Sequence, residues 1–210
     1  MRLAIIGTGK MATGLARGWL KASHDVTFGS RDPAGRRDFL IKEVGPGVSV
    51  ETHAAALDSA ECVVLALPYA EVEQFSARHA ALLRGRVVMD ITNPFDALPD
   101  NRTSGPEVTA RAIGDGARVV AAFKTNFSGI LARPVDAAGT VRDVFYCGDD
   151  VPAKAVVRGL IEELGFRAVD CGPLLAARVL DGMVPLMVEM DRRLGGPGRT
   201  RRAHWKFETP

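Results

Sequence analysis

Short apolar runs alternate with longer amphipathic stretches along most of the chain. We predict a strand at each of eight such runs: Leu3–Ile6, Val26–Phe28, Val48–Val50, Cys62–Leu67, Val87–Ile91, Val119–Phe123, Val144–Cys147 and Ala168–Cys171. Almost continuously apolar strands bounded by turns are typical of strands that are buried on both faces. Their alternation with helical stretches predicts βαβ units and a mostly parallel sheet.

Four of the intervening stretches have clear helix start or stop signals. The predicted helices span about Met11–Ala22, a segment that opens at Pro33 after Asp32, about Pro152–Leu164 and about Leu174–Leu194. Asp150 is the expected N-cap of the third helix, and Gly165 is its expected stop. The fourth contains Gly182 and Pro185, so we expect a kink or a break there.

The glycine-rich turn "LAIIGTGKMATG" follows the first predicted strand and opens the first helix. Gly7, Gly9 and Ala12 give the pattern G-x-G-x-x-A. In this pattern the first glycine permits a tight turn, the second lets a pyrophosphate approach the backbone, and the small third residue lets helix and strand pack closely. The helix N-terminus then offers free N–H groups to phosphates. The turn therefore predicts a dinucleotide site.

The stretch "FGSRDPAGRR" after the second strand indicates which dinucleotide is bound. Sites that prefer NAD usually place a carboxylate there for the ribose hydroxyls. Here the strand ends in "GS", with Ser30 followed by Arg31, and a hydroxyl with a guanidinium suits a 2′-phosphate. Arg36 and Arg37 can add charge, and Asp32 is placed to cap the next helix. We predict NADP(H), although the same arginines would also suit a solvated surface cluster.

Composition excludes several other classes of protein. The 210 residues are 47% hydrophobic and 25% charged, which suits a globular fold with a sizeable core, and a net charge of +2 gives no support for nucleic-acid binding. No apolar run approaches the roughly 20 residues that span a bilayer, and the N-terminus lacks a signal-peptide pattern, so we expect a cytoplasmic protein. The three scattered cysteines are expected to be buried thiols rather than metal ligands.

The chain offers few candidates for acid–base catalysis. Its four histidines are expected to have surface or structural roles, and the neighbouring Asp149 and Asp150 are expected to cap a helix. A carbonyl or imine substrate would need a proton donor, for which Lys124 is the candidate and Tyr69 a weaker one. Hydride transfer to a flavin-type ring would need neither, since the two cofactors carry that chemistry.

Several blocks together resemble the NADPH-dependent reductases of the deazaflavin coenzyme F420. They are "IIGTGKMATGLA", "GSR", "VVLALPYAEV", "YCGDD", "DCGPLLAARVLDGMVPL" and the closing "WKF". The resemblance implies a Rossmann-type, doubly wound α/β fold with a small C-terminal helical extension. It implies hydride transfer between NADP(H) and F420, in a homodimer. We expect residues 1–172 to form the NADP-binding domain and residues 173–210 to form a helix and tail packed on it.

The resemblance also assigns cofactor contacts position by position. The implied contacts are Gly7, Thr8, Gly9, Lys10 and Met11 at the turn, Ser30 and Arg31 at the 2′-phosphate, Leu67, Pro68 and Tyr69 beside the ribose and nicotinamide, Asn126 near the nicotinamide, and Ala203 in the tail. In "AAFKTNFSG" the chain departs from the family, which has a histidine where Lys124 stands. The acceptor therefore remains open: another flavin, a metal chelate, a small carbonyl or imine, or none in a non-catalytic NADP(H) sensor.

Overall fold

The computed structural model describes residues 1–94, 102–194 and 203–208. Its strands are β1 (Arg2–Ile6), β2 (Asp25–Ser30), β3 (Ser49–Thr52), β4 (Cys62–Leu65), β5 (Val87–Asp90), β6 (Arg118–Ala121), β7 (Asp143–Gly148) and β8 (Arg167–Asp170). Its helices are α1 (Lys10–Lys21), α2 (Pro33–Val44), α3 (His53–Ser59), α4 (Tyr69–Arg78), α5 (Ala80–Leu83), α6 (Gly105–Ile113), α7 (Val151–Glu162) and α8 (Ala177–Leu194). All eight predicted strands are present.

The strands form one sheet in the order β3-β2-β1-β4-β5-β6-β7-β8. Neighbours are parallel except for β6 and β7, which pair antiparallel. The chain moves outward from β1 to β3 and then returns to place β4 on the other side of β1. This reversal confirms the Rossmann-type, doubly wound fold, and such sheets bind ligands outside the carboxyl ends of the strands at that point.

The two faces of the sheet carry separate apolar layers. Side chains alternate along β1, so that Leu3 and Ile5 pack with the layer formed by α1, α2 and α7, whereas Ala4 and Ile6 pack with the layer formed by α3, α4 and α6. Trp19 of α1 is fully buried in the first layer, where its indole N–H donates to the Leu160 carbonyl at 2.9 Å. The sheet is therefore covered on both sides, as the apolar strands predict.

The C-terminal helix covers the end of the sheet that contains β6 and β7. Ala177 and Leu180 of α8 pack with Ala121, Phe145 and Cys147 of these strands. The tail then reaches Asp143, whose carboxylate accepts the Phe207 N–H at 2.7 Å. Helix α8 thus contacts the sheet directly.

Strands β4 and β6 and helix α8 differ from the sequence expectations. Strand β6 ends at Ala121, two residues before the predicted Phe123. Strand β4 ends at Leu65, two residues before the predicted end, because the chain turns away at Leu67 and at Pro68, which has no N–H to donate. Helix α8 continues through Gly182 and Pro185 with no break, and it begins at Ala177 after a 3-10 turn at Leu174–Ala176. Buried side chains lie on both sides of the proline, Val184 before it and Met187 after it.

Candidate functional site

The glycine turn between β1 and α1 has the conformation that its residues predict. Gly7 has φ +118°, and a Cβ there would overlap the carbonyl group of Ala66, so only glycine fits. Gly9 is the N-cap of α1 and supplies no side-chain cap, while the space where its Cβ would stand is open. The first N–H groups of α1 are therefore accessible to a bound anion.

A cavity of about 480 Å³, which we call the glycine-turn cavity, opens beside this turn. It is lined by Gly7, Thr8, Gly9, Gly29, Ser30, Arg31, Asp32, Arg36, His53, Ala66, Leu67, Pro68 and Glu71. Eight of the predicted cofactor residues thus lie around one cavity, although they come from three separate segments of the chain. His53 and Glu71 are lining residues that the sequence motifs do not indicate.

The segment after β2 presents two cations to this cavity and keeps its carboxylate occupied. Ser30 ends β2, and its hydroxyl accepts the Asp32 N–H at 3.1 Å. Asp32 caps α2 by accepting the Gly35 N–H at 3.0 Å, as the sequence predicts. The Arg31 side chain is 80% exposed, with its guanidinium 3.8 Å from the Glu71 carboxylate. Arg37 instead donates to the Val50 carbonyl at 3.4 Å and does not line the cavity.

The next residues of the turn lie on other surfaces. Lys10 lines an open groove of about 950 Å³ along α1, together with Arg17 and Lys21. Met11 lines a third cavity of about 420 Å³ beneath α8, which we call the α8 cavity. The turn therefore separates the two cavities and borders both of them.

The α8 cavity contains buried amide oxygens with no partner. It is lined by Met11, Asn93, Lys124, Asn126, Phe127, Ser128, Val184, Met187, Val188, Asp191 and Arg192. The Asn126 amide nitrogen donates to the Asp143 carbonyl at 2.9 Å, and that of Asn93 donates to the Lys124 carbonyl at 3.2 Å. Among the described residues, neither side-chain oxygen has a hydrogen-bond partner. Since a buried acceptor without a partner is costly, a bound group with N–H donors would suit this cavity.

Lys124 lies at the wall of the α8 cavity in a buried cluster of charges. Its ammonium is 2.9 Å from the Asp181 carboxylate and 3.9 Å from that of Asp90, and it donates to the Thr92 carbonyl. Both ion-pair partners are almost fully buried. Burial raises the pKa of Asp181 in spite of the opposing charge of Lys124. In this arrangement the ammonium is occupied by protein groups.

The same cluster is tied to α6 through both carboxylates. Asp90 accepts the Thr109 hydroxyl at 2.6 Å, and Asp181 accepts the Gly105 N–H at 2.8 Å. The Tyr69 ring packs on Gly105, and burial raises the pKa of its phenol. Tyr69 therefore lies behind the charge cluster, and it is absent from the described lining of both cavities.

The tail reaches the edge of the α8 cavity. The Ala203 N–H donates to the carboxylate of Asp191, a lining residue, at 3.4 Å. Residues 195–202, which lead into the tail, are outside the described part of the chain. The structure thus brings Ala203 close to the cavity that also contains Asn126.

The other residues considered for catalysis or metal binding have structural roles. His24 pairs with Glu163 at 2.6 Å, and Asp150 caps α7, as the sequence predicts. Cys62 and Cys147 are buried free thiols, and burial raises the pKa of each to about 12. Among residues 1–94, 102–194 and 203–208, no group of three or more His, Cys, Asp or Glu side chains is arranged to hold a metal ion.

Comparison with known proteins identifies the family. The sequence profile described as "NADP oxidoreductase coenzyme F420-dependent" matches residues 2–94. An F420-dependent NADP reductase from Methanothermobacter thermautotrophicus is 31% identical over 214 residues, which cover 92% of this chain and 90% of that protein. The chain belongs to this family.

Two further proteins are similar to this chain. A solved structure from Arthrobacter sp. FB24, described as a candidate F420-dependent NADP reductase, superposes with a TM-score of 0.89 over 100% of both chains at 29% identity. The metalloreductase STEAP3 of Rattus norvegicus is 29% identical over 88% of this chain, but over only 36% of its own length. No helix in the described residues has the length and apolar composition needed to cross a membrane.

Proposed function

We propose that this protein transfers a hydride between NADP(H) and coenzyme F420. The observation that carries the proposal is the pairing of Ser30 and Arg31 with the glycine turn around one cavity. Anions are favoured there because the first N–H groups of α1 have no side-chain cap and the neighbouring Asp32 carboxylate caps α2. The 31% identity to an F420-dependent NADP reductase over 92% of the chain supports the same reaction.

The two cavities suit the two halves of the dinucleotide. Ser30, Arg31 and Arg36 would hold the 2′-phosphate, and the α1 N-terminus would hold the pyrophosphate between the cavities. The nicotinamide would enter the α8 cavity, where its carboxamide N–H groups can donate to the unpartnered oxygens of Asn93 and Asn126. Thr8, Leu67 and Pro68 would border the path between them.

Hydride transfer requires little acid–base catalysis from the protein itself. When bound, the nicotinamide and the deazaflavin ring supply the hydride donor and acceptor. The chain must bind them, align them and exclude water. We propose that Lys124 anchors α8 over the cavity through Asp181, since its ammonium is already committed to buried protein groups.

An acceptor panel tests the proposed reaction. NADPH is mixed with purified protein and F420, FAD, FMN, a ferric chelate or a small imine, and the nicotinamide absorbance is followed. We expect rapid oxidation with F420 alone. Oxidation with the ferric chelate instead would favour the activity that the name of the STEAP3 relative describes. Tight NADPH binding without oxidation of any acceptor would favour a sensor.

We also propose that the protein is a homodimer that works in the cytoplasm. Val179, Met183, Leu186 and Met190 follow one face of α8 at helical spacing, and three of them are exposed large apolar side chains. The free thiols suit a reducing compartment. Light scattering should give twice the monomer mass, and Leu186→Glu should halve it. Val151→Glu, at an exposed position on α7, is the control. A monomeric wild type would contradict the dimer.

A further inference from the structure

His53 lies beside the predicted 2′-phosphate pair, although it is distant from it in sequence. It begins α3 directly after β3, and the register of β2 and β3 pairs Ser30 with Thr52, the residue that precedes it. Its ring is close enough to β2 that a Cβ on Gly29 would stand 3.3 Å from the ring Cδ2. The imidazole therefore lines the glycine-turn cavity next to Ser30 and Arg31.

Aromatic packing holds the His53 ring in place and leaves its nitrogens available. The ring meets Phe75 edge-on, with centroids 5.1 Å apart, and meets His79 at 6.0 Å. Within the described part of the chain, no hydrogen bond engages either ring nitrogen. A polar ring that is fixed by packing and lacks polar partners is suited to a ligand that enters the cavity.

We propose that His53 is a third member of the 2′-phosphate site and that it takes up a proton when NADP(H) binds. This inference rests on the proposed use of NADP(H). An imidazolium donates a charge-assisted hydrogen bond to a phosphate oxygen. The hydrogen bond that a neutral ring donates is weaker. His53 would then add a pH-dependent part to the preference for NADP(H) over NAD(H), while Arg31 supplies a part that does not vary with pH.

The charges that face His53 explain why the proton should arrive only with the ligand. Burial lowers the pKa of His53, and His79, Arg31 and Arg78 lower it further, while Glu71 opposes them. Arg36 and Asp32 line the same cavity from the side of α2. The free protein therefore keeps the ring largely neutral at pH 7, and a bound phosphate dianion would reverse the balance.

The sign of the pH dependence follows from this change. If binding raises the pKa of His53, the added affinity is complete below the pKa of the free protein, which lies under 6.5. It is then lost as the pH rises through the higher pKa of the complex. A rise of one unit corresponds to about a tenfold gain in affinity at the low end of this range.

The test measures dissociation constants for NADP⁺ and NAD⁺ at pH 5.5 and 8.0, in wild type, His53→Gln and His79→Gln. The phosphate itself titrates near pH 6, but it does so in all three proteins and cancels when each variant is divided by wild type. We expect His53→Gln to lose up to about tenfold in NADP⁺ affinity at pH 5.5 and much less at pH 8.0, with NAD⁺ affinity unchanged. His79→Gln keeps the His53 ring and only removes a group that lowers its pKa, so this variant should bind NADP⁺ at least as tightly as wild type at both pH values.

Calorimetry in buffers of different ionisation enthalpy gives a second readout. Wild type should take up protons on binding NADP⁺ near pH 6.5, and His53→Gln should take up fewer. Equal loss of NADP⁺ affinity at both pH values, a parallel loss for NAD⁺, or unchanged proton uptake would overturn the inference. Failure of the wild type to bind NADP⁺ would instead overturn the proposed function.

Discussion

At the scale of single residues, the nucleotide preference depends on the side chains that follow β2. Arg31 is exposed at the cavity, and among the described residues its ion-pair contact is a long one, 3.8 Å from Glu71, so its side chain can turn toward a phosphate. Asp32, the acid that would repel that phosphate, accepts a backbone N–H of α2 instead. The two adjacent residues thus have opposite charges and separate tasks.

We predict that Arg31→Ala weakens NADPH binding far more than NADH binding. Loss of a hydrogen bond to a charged group costs about 1.5–3 kcal/mol, or about ten- to a hundredfold in affinity. Titration calorimetry with both nucleotides measures the effect. Arg37→Ala is the matched control, since Arg37 bonds to the Val50 carbonyl and does not line the cavity. Equal losses for both nucleotides would refute the assignment of Arg31 to the 2′-phosphate.

We expect Lys124 to contribute mainly to the stability of the folded protein and less to catalysis. Lys124→Met would leave Asp90 and Asp181 buried without their cation, and breaking such a pair costs about 3–5 kcal/mol. Denaturant unfolding measures the change. The control is Lys154→Met, which breaks a partly exposed pair with Asp170 and should cost about 1 kcal/mol or less.

Adding Asp181→Asn to Lys124→Met should restore part of the lost stability, because it removes one of the unpaired charges. A Lys124→Met variant as stable as Lys154→Met would show that the buried cluster contributes no anchoring.

The sequence indicates Ser30 and Arg31 as phosphate-binding residues because they follow a glycine turn and a second strand at a position that is nearly constant in dinucleotide-binding folds. The sequence indicates a surface or structural role for His53, because no motif shows that the register of β2 and β3 brings it to Ser30. The sequence likewise indicates Lys124 as a candidate proton donor and does not show which groups surround its ammonium. Its partners Asp90 and Asp181 are far away in sequence, and only the packing of α8 on the sheet shows that the charge is buried.

At the scale of elements, apolar periodicity was sufficient for the strands and less so for the helices. All eight strands lie where apolar runs predict them, and the central strands β1, β4 and β5 are buried on both faces. Helix α6 is not among the helices that the sequence analysis predicts, although Ser104 and Glu107 form a capping box at its start. That signal was present in the sequence. By contrast, the continuity of α8 through Pro185 depends on tertiary packing.

The tail is held mainly by one carboxylate. Asp143 accepts from Arg167 at 2.7 and 2.8 Å, from Lys206 at 3.1 Å and from the Phe207 N–H. Burial alone would raise the pKa of Asp143, but these bonds hold it below its usual 3.8. Their contribution is complete above that value and is lost as the pH falls through the lower pKa of the folded protein.

We predict that Asp143→Asn releases the tail at neutral pH. Hydrogen exchange at the Phe207 amide should become fast, because the acceptor loses its charge and the bonds weaken. In wild type the same change should need a pH below 3.8. Asp170→Asn, which removes the exposed partner of Lys154, should leave the tail in place. Unchanged protection of Phe207 in Asp143→Asn would mean that the apolar contacts of the tail suffice.

At the scale of the whole molecule, the sheet order brings four separate segments of the chain together around the glycine-turn cavity. The glycine-turn cavity and the α8 cavity flank that turn, so one extended dinucleotide can occupy both. The sequence indicates eight of the residues that line the first cavity, but of those that line the second it indicates Met11, Lys124 and Asn126 alone. The α8 cavity depends on how the last helix packs over the segments that follow β5 and β6, and no motif indicates that arrangement.

Transfer of an isotope label tests the central claim most directly. NADPH carrying deuterium at the reactive nicotinamide carbon is mixed with the protein and F420, and the reduced deazaflavin is examined by mass spectrometry. We predict that the label moves to a carbon of the deazaflavin and does not appear in water, because the two rings exchange a hydride directly. Tight binding of NADPH with no deuterium in the deazaflavin would contradict the account.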